Sequence, residues 1–324
     1  MRATFYEQQS ANRRLSVLLM LSVALLLAAL GFSIGFAYTG NEIGGVAFTL
    51  GALVLGIVLS IGSYYGGDKV VLAASGATEA DPVRDQQLLN VVQEMSIAAG
   101  VPMPRVYLID DTAPNAFATG RDPQHASVAI TPGLLQKLDR EALQGVSAHE
   151  MGHVRNLDIR FMLLIGVLVG GIALLSDMFL RSMMFGGAHR SRSRENGGGG
   201  LQAIMMIVAL VLAVLAPIAA RLVQMSVSRQ REYLADATSV ELTRNPAGLE
   251  RALAIIATDH EVLEVANRAT QHLYIVNPIK KFEERAASLF ATHPSIADRI
   301  DRLRTLRAAA PLTAVERDSL MRHE

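Results

Sequence analysis

Two uncharged apolar stretches near the N-terminus limit the possible folds of this chain more than any other feature of its sequence. Residues 15–38 and residues 43–65 contain no charged side chain over 24 and 23 residues, respectively. About 20 apolar residues in an α-helix cross the hydrocarbon core of a bilayer, which is about 30 Å thick. A cleaved signal peptide is shorter than the first stretch, and a second span would not follow it at once. The two stretches therefore predict a transmembrane hairpin.

A second pair of apolar stretches, residues 161–180 and 201–220, predicts another hairpin. This pair is less regular, because Asp177 interrupts the first stretch and Pro217 lies near the end of the second. A carboxylate in lipid is costly unless it lies at an interface or in a wet cleft. A helical hairpin buried within a soluble domain is therefore an alternative, and full crossing of the membrane stays open. The segment 186–200, rich in Gly, Ser and Arg, predicts a linker between the two stretches.

The distribution of arginines predicts the orientation of the first hairpin. Arg2, Arg13 and Arg14 precede it, whereas residues 39–42, which join its two stretches, include no basic residue. Because basic residues accumulate on the cytoplasmic side, the N-terminus is expected in the cytoplasm, and the chain returns there near residue 66. The second hairpin conflicts with the same tendency, since four arginines of its connection would lie outside: Arg181, Arg190, Arg192 and Arg194.

Overall composition excludes some functions. The formal net charge is zero and the pI is about 7.1, so no global positive field favours nucleic acid, and no nucleic-acid partner is expected. The chain has no cysteine, so any zinc must be held by histidine and carboxylate side chains. Such ligands are typical of an open catalytic site rather than of a structural zinc finger.

The segment 147–153 contains an H-E-x-x-H motif. Residues four apart lie on one face of an α-helix, so His149 and His153 can bind one metal ion together. Glu150 lies beside that face, where it can reach a water on the metal rather than the metal itself. Asp139 is the predicted N-cap of this helix. The alternative is an ordinary helix with scattered histidines.

The remaining sequence predicts a small α+β unit followed by helices. Residues 85–99 have helical periodicity, and three short strands are predicted at 105–110, after a turn at 114–120, and at 127–131, closed by a Pro-Gly turn at 132–133. Further helices are predicted at 249–266 and 295–306. The expected fold class is α+β and mostly helical, with a small antiparallel or mixed sheet and about four transmembrane helices in two hairpins. The expected segments are an N-terminal hairpin at 1–66, the first part of the catalytic domain at 67–160, a second hairpin at 161–224 and a helical second part at 225–324.

Two histidines leave a zinc ion short of ligands, because catalytic sites use three protein ligands and a water. The best candidate for the third ligand is Glu232, and Asp236 follows one helical turn later. This E-x-x-x-D spacing suits one ligand and one outer carboxylate that holds a ligand histidine by its other ring nitrogen. The alternative, given equal weight, is that both are surface charges paired with Arg229 and Arg231.

These residues resemble the HtpX-type membrane zinc metallopeptidases, a family related to the CAAX prenyl proteases. The resemblance covers nearly the whole chain, from the first hairpin through Pro-Asn-Ala-Phe at 114–117 to His293 and the proline after it. It implies a zincin-like metalloprotease domain with one Zn²⁺ per chain, held by His149, His153 and Glu232. The Gly/Arg-rich linker departs from the family pattern.

The resemblance also implies where the protein acts and on what. It is expected to be a multi-pass protein of the bacterial inner membrane, embedded in the lipid bilayer, with its catalytic domain facing the cytoplasm. Its expected substrates are damaged or misfolded membrane proteins or unfolded polypeptides, which is a role in protein quality control. Oligomeric state, natural substrates and cleavage specificity stay open.

The expected chemistry is metal-assisted hydrolysis of a peptide bond. Zinc lowers the pKa of a bound water toward about 7, and Glu150 takes its proton as hydroxide attacks the carbonyl. Glu150 later passes the proton to the leaving amine. His293 and Arg299, in the spacing H-P-x-x-x-x-R, are candidate donors to the oxyanion. The alternatives are a loop histidine that caps the last helix and a solvated arginine.

Proteases bind substrate as an extended strand, and residues 115–119 are the expected edge that accepts it. The candidate substrate-binding residues are Asn115, Ala116 and Phe117, and an ordinary hairpin is the alternative. The sequence also allows two less favoured functions for the whole chain. One is a CAAX-type prenyl-protein protease, which four spans make less suitable, and the other is a non-catalytic membrane scaffold with a vestigial zinc site, which an intact Glu150 argues against.

Overall fold

The structure is a computed structural model that describes residues 5–185, 199–259, 261 and 294–321. It is mostly helical and includes one four-stranded sheet in the described part. The chain forms two compact units. The mixed unit comprises residues 1–12, 64–163 and 225–324, and the helical unit comprises residues 13–63 and 164–224.

Four long helices carry the apolar stretches: α1 (Phe5–Thr39), α2 (Glu42–Ala74), α6 (Asp158–Phe185) and α7 (Gly199–Thr243). Each is long and apolar enough to span a membrane. In the windows of highest hydropathy in α6 and α7, only 39% and 22% of residues are buried. A hairpin buried in a soluble domain would have most of its apolar side chains buried. The observed burial is too low for this alternative. The predicted fold class with four membrane helices is confirmed.

Glycines allow close packing within the helical unit. At Gly35 an added Cβ would lie 2.5 Å from the carbonyl oxygen of Gly44, so α1 and α2 approach each other backbone to backbone. Gly40 between these helices has a φ of +74°, a conformation that favours glycine. The Gln202 side-chain amide of α7 donates a hydrogen bond to the Ala37 carbonyl of α1 at 3.1 Å.

The sheet of the mixed unit has the strand order β1-β2-β4-β3, with β3 at one edge. Strands β2 and β4 are parallel, and the other two pairs are antiparallel. The strands are β1 (Thr78–Glu79), β2 (Arg105–Leu108), β3 (Ala116–Gly120) and β4 (Ala126–Ile130). The strands predicted at 105–110 and 127–131 agree with β2 and β4 within two residues. Strand β3 lies within residues 114–120, which were predicted as a turn, and the two-residue β1 was not predicted.

The remaining helices of the mixed unit are α3 (Gln86–Ala99), α4 (Pro132–Lys137), α5 (Arg140–Arg155), α8 (Pro246–Thr258), α9 (Ile296–Leu306) and α10 (Ala314–Met321). The predicted Pro-Gly turn was wrong, because Pro132 begins α4 and the Thr131 hydroxyl accepts a hydrogen bond from Leu134 N as an N-cap. The helix predicted at 249–266 ends at Thr258, and residues 262–266 lie outside the described residues.

Helix α5 lies in the centre of the mixed unit, packed against α3, α8 and β3. An added Cβ at Gly145 would lie 2.6 Å from Leu249 N, and one at Gly248 would lie 2.6 Å from Glu141 O. The backbones of α5 and α8 therefore touch at these two glycines. The Ser239 hydroxyl of α7 donates to the Gly145 carbonyl at 2.7 Å. These contacts hold α5 firmly against the helix that brings the third candidate ligand.

Candidate metal centre

Helix α5 presents the H-E-x-x-H motif at a buried position. It begins after Asp139, whose carboxylate accepts a hydrogen bond from Ala142 N at 2.7 Å, as the predicted N-cap does. His149 and Glu150 are almost fully buried, and His153 is 13% exposed at its side chain. The rings of His149 and His153 lie 4.7 Å apart between centroids. The helix therefore brings both imidazoles to one point, as the spacing of four residues predicts.

The structure brings His149, His153 and Glu232 together in the geometry of a metal site. The two Nε2 atoms are 3.2 Å apart, and carboxylate oxygens of Glu232 lie 3.5 Å from His149 Nε2 and 3.4 Å from His153 Nε2. In a tetrahedral zinc site with bonds of about 2.0–2.1 Å, ligand atoms lie roughly 3.3–3.4 Å from one another. The three observed separations match this value, so the residues fit a zinc ion.

Each histidine has a carboxylate behind it. His149 Nδ1 lies 3.0 Å from Asp236 Oδ1, and His153 Nδ1 lies 3.1 Å from Asp158 Oδ2. Because a carboxylate accepts hydrogen bonds, each Nδ1 donates its proton outward. Each Nε2 then presents a lone pair to the centre, and two lone pairs 3.2 Å apart repel each other unless a cation lies between them.

Arg299 lies behind Glu232 and Asp236 rather than in solvent. Its side chain is fully buried, with two nitrogens at 2.9 Å and 2.7 Å from the Asp236 carboxylate and a third at 3.3 Å from Glu232 Oε2. Glu232 and Asp236 are themselves 2% and 4% exposed, so the interpretation of both as surface charges is wrong. A planar guanidinium that contacts two carboxylates fixes their relative position.

Asp158 and Arg231 are the residues that sequence reasoning missed. Arg231, next to the candidate ligand Glu232, forms a close ion pair with Asp158 and stacks with its Cζ 4.0 Å from the centroid of the Phe161 ring. It is 4% exposed, so it is not a surface charge, as the alternative had assumed. Each histidine is thus backed by its own pair of carboxylate and arginine. The signal in the sequence was an aspartate five residues after the second histidine, at the start of α6.

The turn between α5 and α6 directs Asp158 back to His153. Leu157 has a φ of +61°, a left-handed conformation that is unusual for a residue with a branched side chain. Its amide donates to the Val154 carbonyl at 3.2 Å, and α6 begins at the next residue. Surrounding contacts must hold such a strained residue, and strain of this kind is common at functional sites.

Burial and the neighbouring carboxylates shift the pKa values of the motif. Burial lowers the pKa of His153, but its hydrogen bonds to Asp158 and Glu232 outweigh burial and hold the pKa well above its ordinary value. The pKa of His149 is raised in the same way, because hydrogen bonds to Asp236 and Glu232 outweigh burial. The carboxylates thus create a negative field at the two histidines that attracts protons or a metal cation.

The carboxylate of Glu150 is positioned to act as a general base. It is 1% exposed, and Oε2 has no hydrogen-bond partner in the described part of the chain. Burial raises the pKa of Glu150 above its ordinary value, toward the range in which a general base works best. A buried carboxylate oxygen without a donor is costly, so it suits a site where a water or substrate group supplies the missing hydrogen bond.

The candidate substrate-binding residues lie on or next to the edge strand β3, which contacts α5. Asn115, just before β3, accepts a hydrogen bond from Ala116 N at its side-chain oxygen and donates from its own backbone to Thr131. Ala116 and Phe117 are fully buried on opposite faces of the strand. The Asn115 backbone is paired with Thr131 through both its N–H and its carbonyl. His293 lies outside the described residues.

Replacing Asp158 by asparagine is expected to weaken zinc binding roughly 10- to 100-fold, because outer partners of ligand histidines contribute this much to metal affinity. The substitution removes the negative charge of Asp158. That charge orients the Nδ1–H of His153 and balances the positive charge of Arg231. Competition with a chromophoric zinc chelator measures the affinity. Asp177→Asn on the same helix, where the carboxylate is 56% exposed and paired with Arg181, is the matched control and should leave the affinity unchanged. Equal affinities for both variants would contradict the role of Asp158.

The chain is similar to one peptidase family, to several curated proteases and to one solved structure. The profile of Peptidase family M48 matches residues 82–307. A protease HtpX homolog from Caldanaerobacter subterraneus subsp. tengcongensis is 43% identical over 304 residues, which cover 94% of this chain and 98% of that protein. A protease HtpX homolog from Ligilactobacillus salivarius is also 43% identical, over 92% of this chain and 98% of that protein. The crystal structure of S. mikatae Ste24p matches with a TM-score of 0.47 at 20% identity, over 84% of this chain and 60% of that chain.

Proposed function

Because the chain belongs to peptidase family M48 and has four helices that can span a membrane, we propose that this membrane metalloprotease is a zinc-dependent endopeptidase that hydrolyses damaged or misfolded membrane proteins. The observation that carries the proposal is the convergence of two imidazole nitrogens and the Glu232 carboxylate, with separations of 3.2–3.5 Å, beside the buried carboxylate of Glu150. A purely structural site needs no such carboxylate. The full-length relatives named protease HtpX homolog support this function over a prenyl-protein protease.

In the proposed reaction, His149, His153 and Glu232 would hold the zinc ion. The ion supplies a Lewis acid that makes water more acidic and polarises a peptide carbonyl. Glu150 Oε2 accepts the proton of the attacking water and passes it to the amide nitrogen as the carbon–nitrogen bond breaks. Asp236 and Asp158 keep the two imidazoles oriented throughout.

The contacts of Arg299 support a positioning role, because its guanidinium contacts Asp236, Glu232 and, at 3.4 Å, His149 Nδ1. Its predicted role as an oxyanion donor, and that of His293, stay predictions. Strand β3 ends the sheet order of the described residues, and addition of an extended substrate strand at residues 115–117 is part of the proposal.

Removal of the metal tests the proposal. The purified protein in detergent should cleave casein, and stripping with 1,10-phenanthroline should reduce the rate to below about 1%, because Lewis-acid stabilisation worth several kcal/mol is lost. Returning about one zinc per chain should restore cleavage, whereas calcium should not, since calcium prefers oxygen ligands. Cleavage that persists unchanged after stripping, with metal content verified by mass spectrometry, would overturn the proposed function.

The proposed location is the inner membrane of a bacterium, with the catalytic residues in the cytoplasm. Basic residues before the first span support this orientation. The ligands of α5 and α7 meet at one point, so two crossings or none must separate them. Reporter fusions after Gly100 and after Asn245 should therefore both report the cytoplasmic side, and one after Gly197 should report the opposite side. Opposite results at Gly100 and Asn245 would contradict the four-span topology.

A further inference from the structure

A second candidate site lies in the mixed unit at the end of α2. It is a cavity of about 340 Å³, lined by Tyr65, Asp68 and Lys69 of α2, Arg105 of β2, and Arg121 and His125 of the connection from β3 to β4. None of the candidate metal ligands lines it. A cavity of this size suits a small polar group rather than a polypeptide.

The cavity is lined by more cations than carboxylates. Lys69 is exposed and has no ion pair in the described parts of the chain. Arg105 is paired with Asp68 at 3.2 Å, and Arg121 lies 3.6 Å from Asp122, which also holds His125 at 2.7 Å. Three cations and one carboxylate line the cavity, and Asp122 lies against Arg121 from outside the lining, so a net positive charge remains and favours an anion.

Aromatic rings hold the two arginines in place. Arg121 Cζ lies 5.3 Å from the centroid of Tyr65 and 6.0 Å from that of Tyr64, and Arg105 Cζ lies 5.8 Å from that of Tyr107. A guanidinium fixed in this way is pre-organised, and its planar set of donors matches the oxygens of a phosphate.

The sequence of α2 indicates where this cavity meets the membrane. The uncharged stretch ends with Tyr64 and Tyr65, and the first charges are Asp68 and Lys69. Paired tyrosines are typical of the membrane interface, at the level of the lipid headgroups. Lys69 lies four residues beyond Tyr65, which is about 6 Å along the helix axis. The cations thus follow directly after the interface, where lipid phosphates lie.

We propose that this cavity binds the phosphodiester of an anionic membrane phospholipid, with Lys69, Arg105 and Arg121 as its phosphate ligands. Basic pockets at the cytoplasmic ends of membrane helices are suited to anionic headgroups. The bound lipid fixes the end of α2 against β2 and against the connection from β3 to β4. The inference does not depend on catalysis, so it can stand or fall independently of the proposed function.

The absence of tryptophan from the chain provides a specific probe. Tyr65→Trp places a single tryptophan at the cavity. Full-length protein in detergent is titrated with phosphatidylglycerol, and tryptophan fluorescence is expected to change saturably. In this background, Lys69→Gln with Arg121→Gln should raise the apparent Kd at least about tenfold, because two charge-assisted hydrogen bonds to the phosphate are lost.

A matched control separates the cavity from general charge attraction. Arg84→Gln with Arg140→Gln removes the same charge from exposed arginines outside the cavity and should change the Kd by less than about twofold. Equal weakening by both double variants, or no saturable change, would overturn the proposal. If inorganic phosphate saturated the fluorescence change at a lower concentration than the lipid, the cavity would be a site for free phosphate, and the proposed lipid would be wrong. Circular dichroism must show that all variants remain folded.

Discussion

Replacing Glu150 by glutamine is expected to reduce peptide hydrolysis by roughly 10²- to 10⁴-fold while zinc stays bound, because the change removes only the general base. The carboxylate lies beside the ligands and is not one of them, and glutamine has nearly the same size. Casein cleavage and metal content are measured on the same preparation. Loss of activity with full metal content is the specific signature of this role.

The control for this prediction lies on the same helix. Glu141 in the first turn of α5 has a side chain that is 59% exposed and paired with Arg251, so Glu141→Gln should retain activity within about twofold. If Glu150→Gln cleaved casein at the wild-type rate, another group would have to accept the proton, and the proposed mechanism would be wrong. If it lost its metal, Glu150 would have to be reassigned as a ligand.

Replacing Glu232 by alanine is expected to remove both the metal and the activity. The zinc would be left with two protein ligands, and stable catalytic sites use three. Metal content after dialysis against a weak chelator should fall from about one zinc per chain to less than about 0.1, given that a ligand contributes more than the roughly 10- to 100-fold effect of an outer partner. Atomic emission and casein cleavage measure the two effects.

Glu241→Ala is the matched control, because Glu241 lies on the same helix and its side chain is 39% exposed. It should retain both metal and activity. Glu232→Ala also leaves Arg299 without one of its carboxylates, so thermal unfolding should be followed to separate loss of metal from loss of fold. Unchanged metal content in a folded Glu232→Ala protein would refute the third ligand.

The local part of the site could be predicted from the sequence because it depends on one helix. The spacing of His149 and His153 decides their common face, and Asp139 marks where that helix begins. The role of Glu232 could not be predicted from residue type and spacing alone, because both fit a surface charge equally well. Only tertiary packing buries it beside the two histidines, and the family resemblance had to supply what spacing could not.

Other parts could not be predicted because they depend on contacts distant in sequence. The approach of Asp158 to His153 depends on the left-handed conformation of Leu157, which the sequence does not signal. The two residues of β1 carry too little pattern to indicate a strand, and they pair only because β2 offers an edge. At Pro132 the same residue type is typical of a turn and of the first turn of a helix, and the Thr131 cap decides between them.

The order in which the ribosome synthesises these segments determines when the site is complete. Arg299 follows His149 by 150 residues, and α8, which packs against α5, and α9, which packs against α8, also come late. At roughly 5–20 residues per second, synthesis of this interval takes about 8–30 s. Throughout it the H-E-x-x-H helix lacks Arg299, which contacts Asp236 and Glu232 in the complete chain. The arginine that contacts both carboxylates is therefore the last of these site residues to be synthesised, and a translation product that stops before it lacks those contacts.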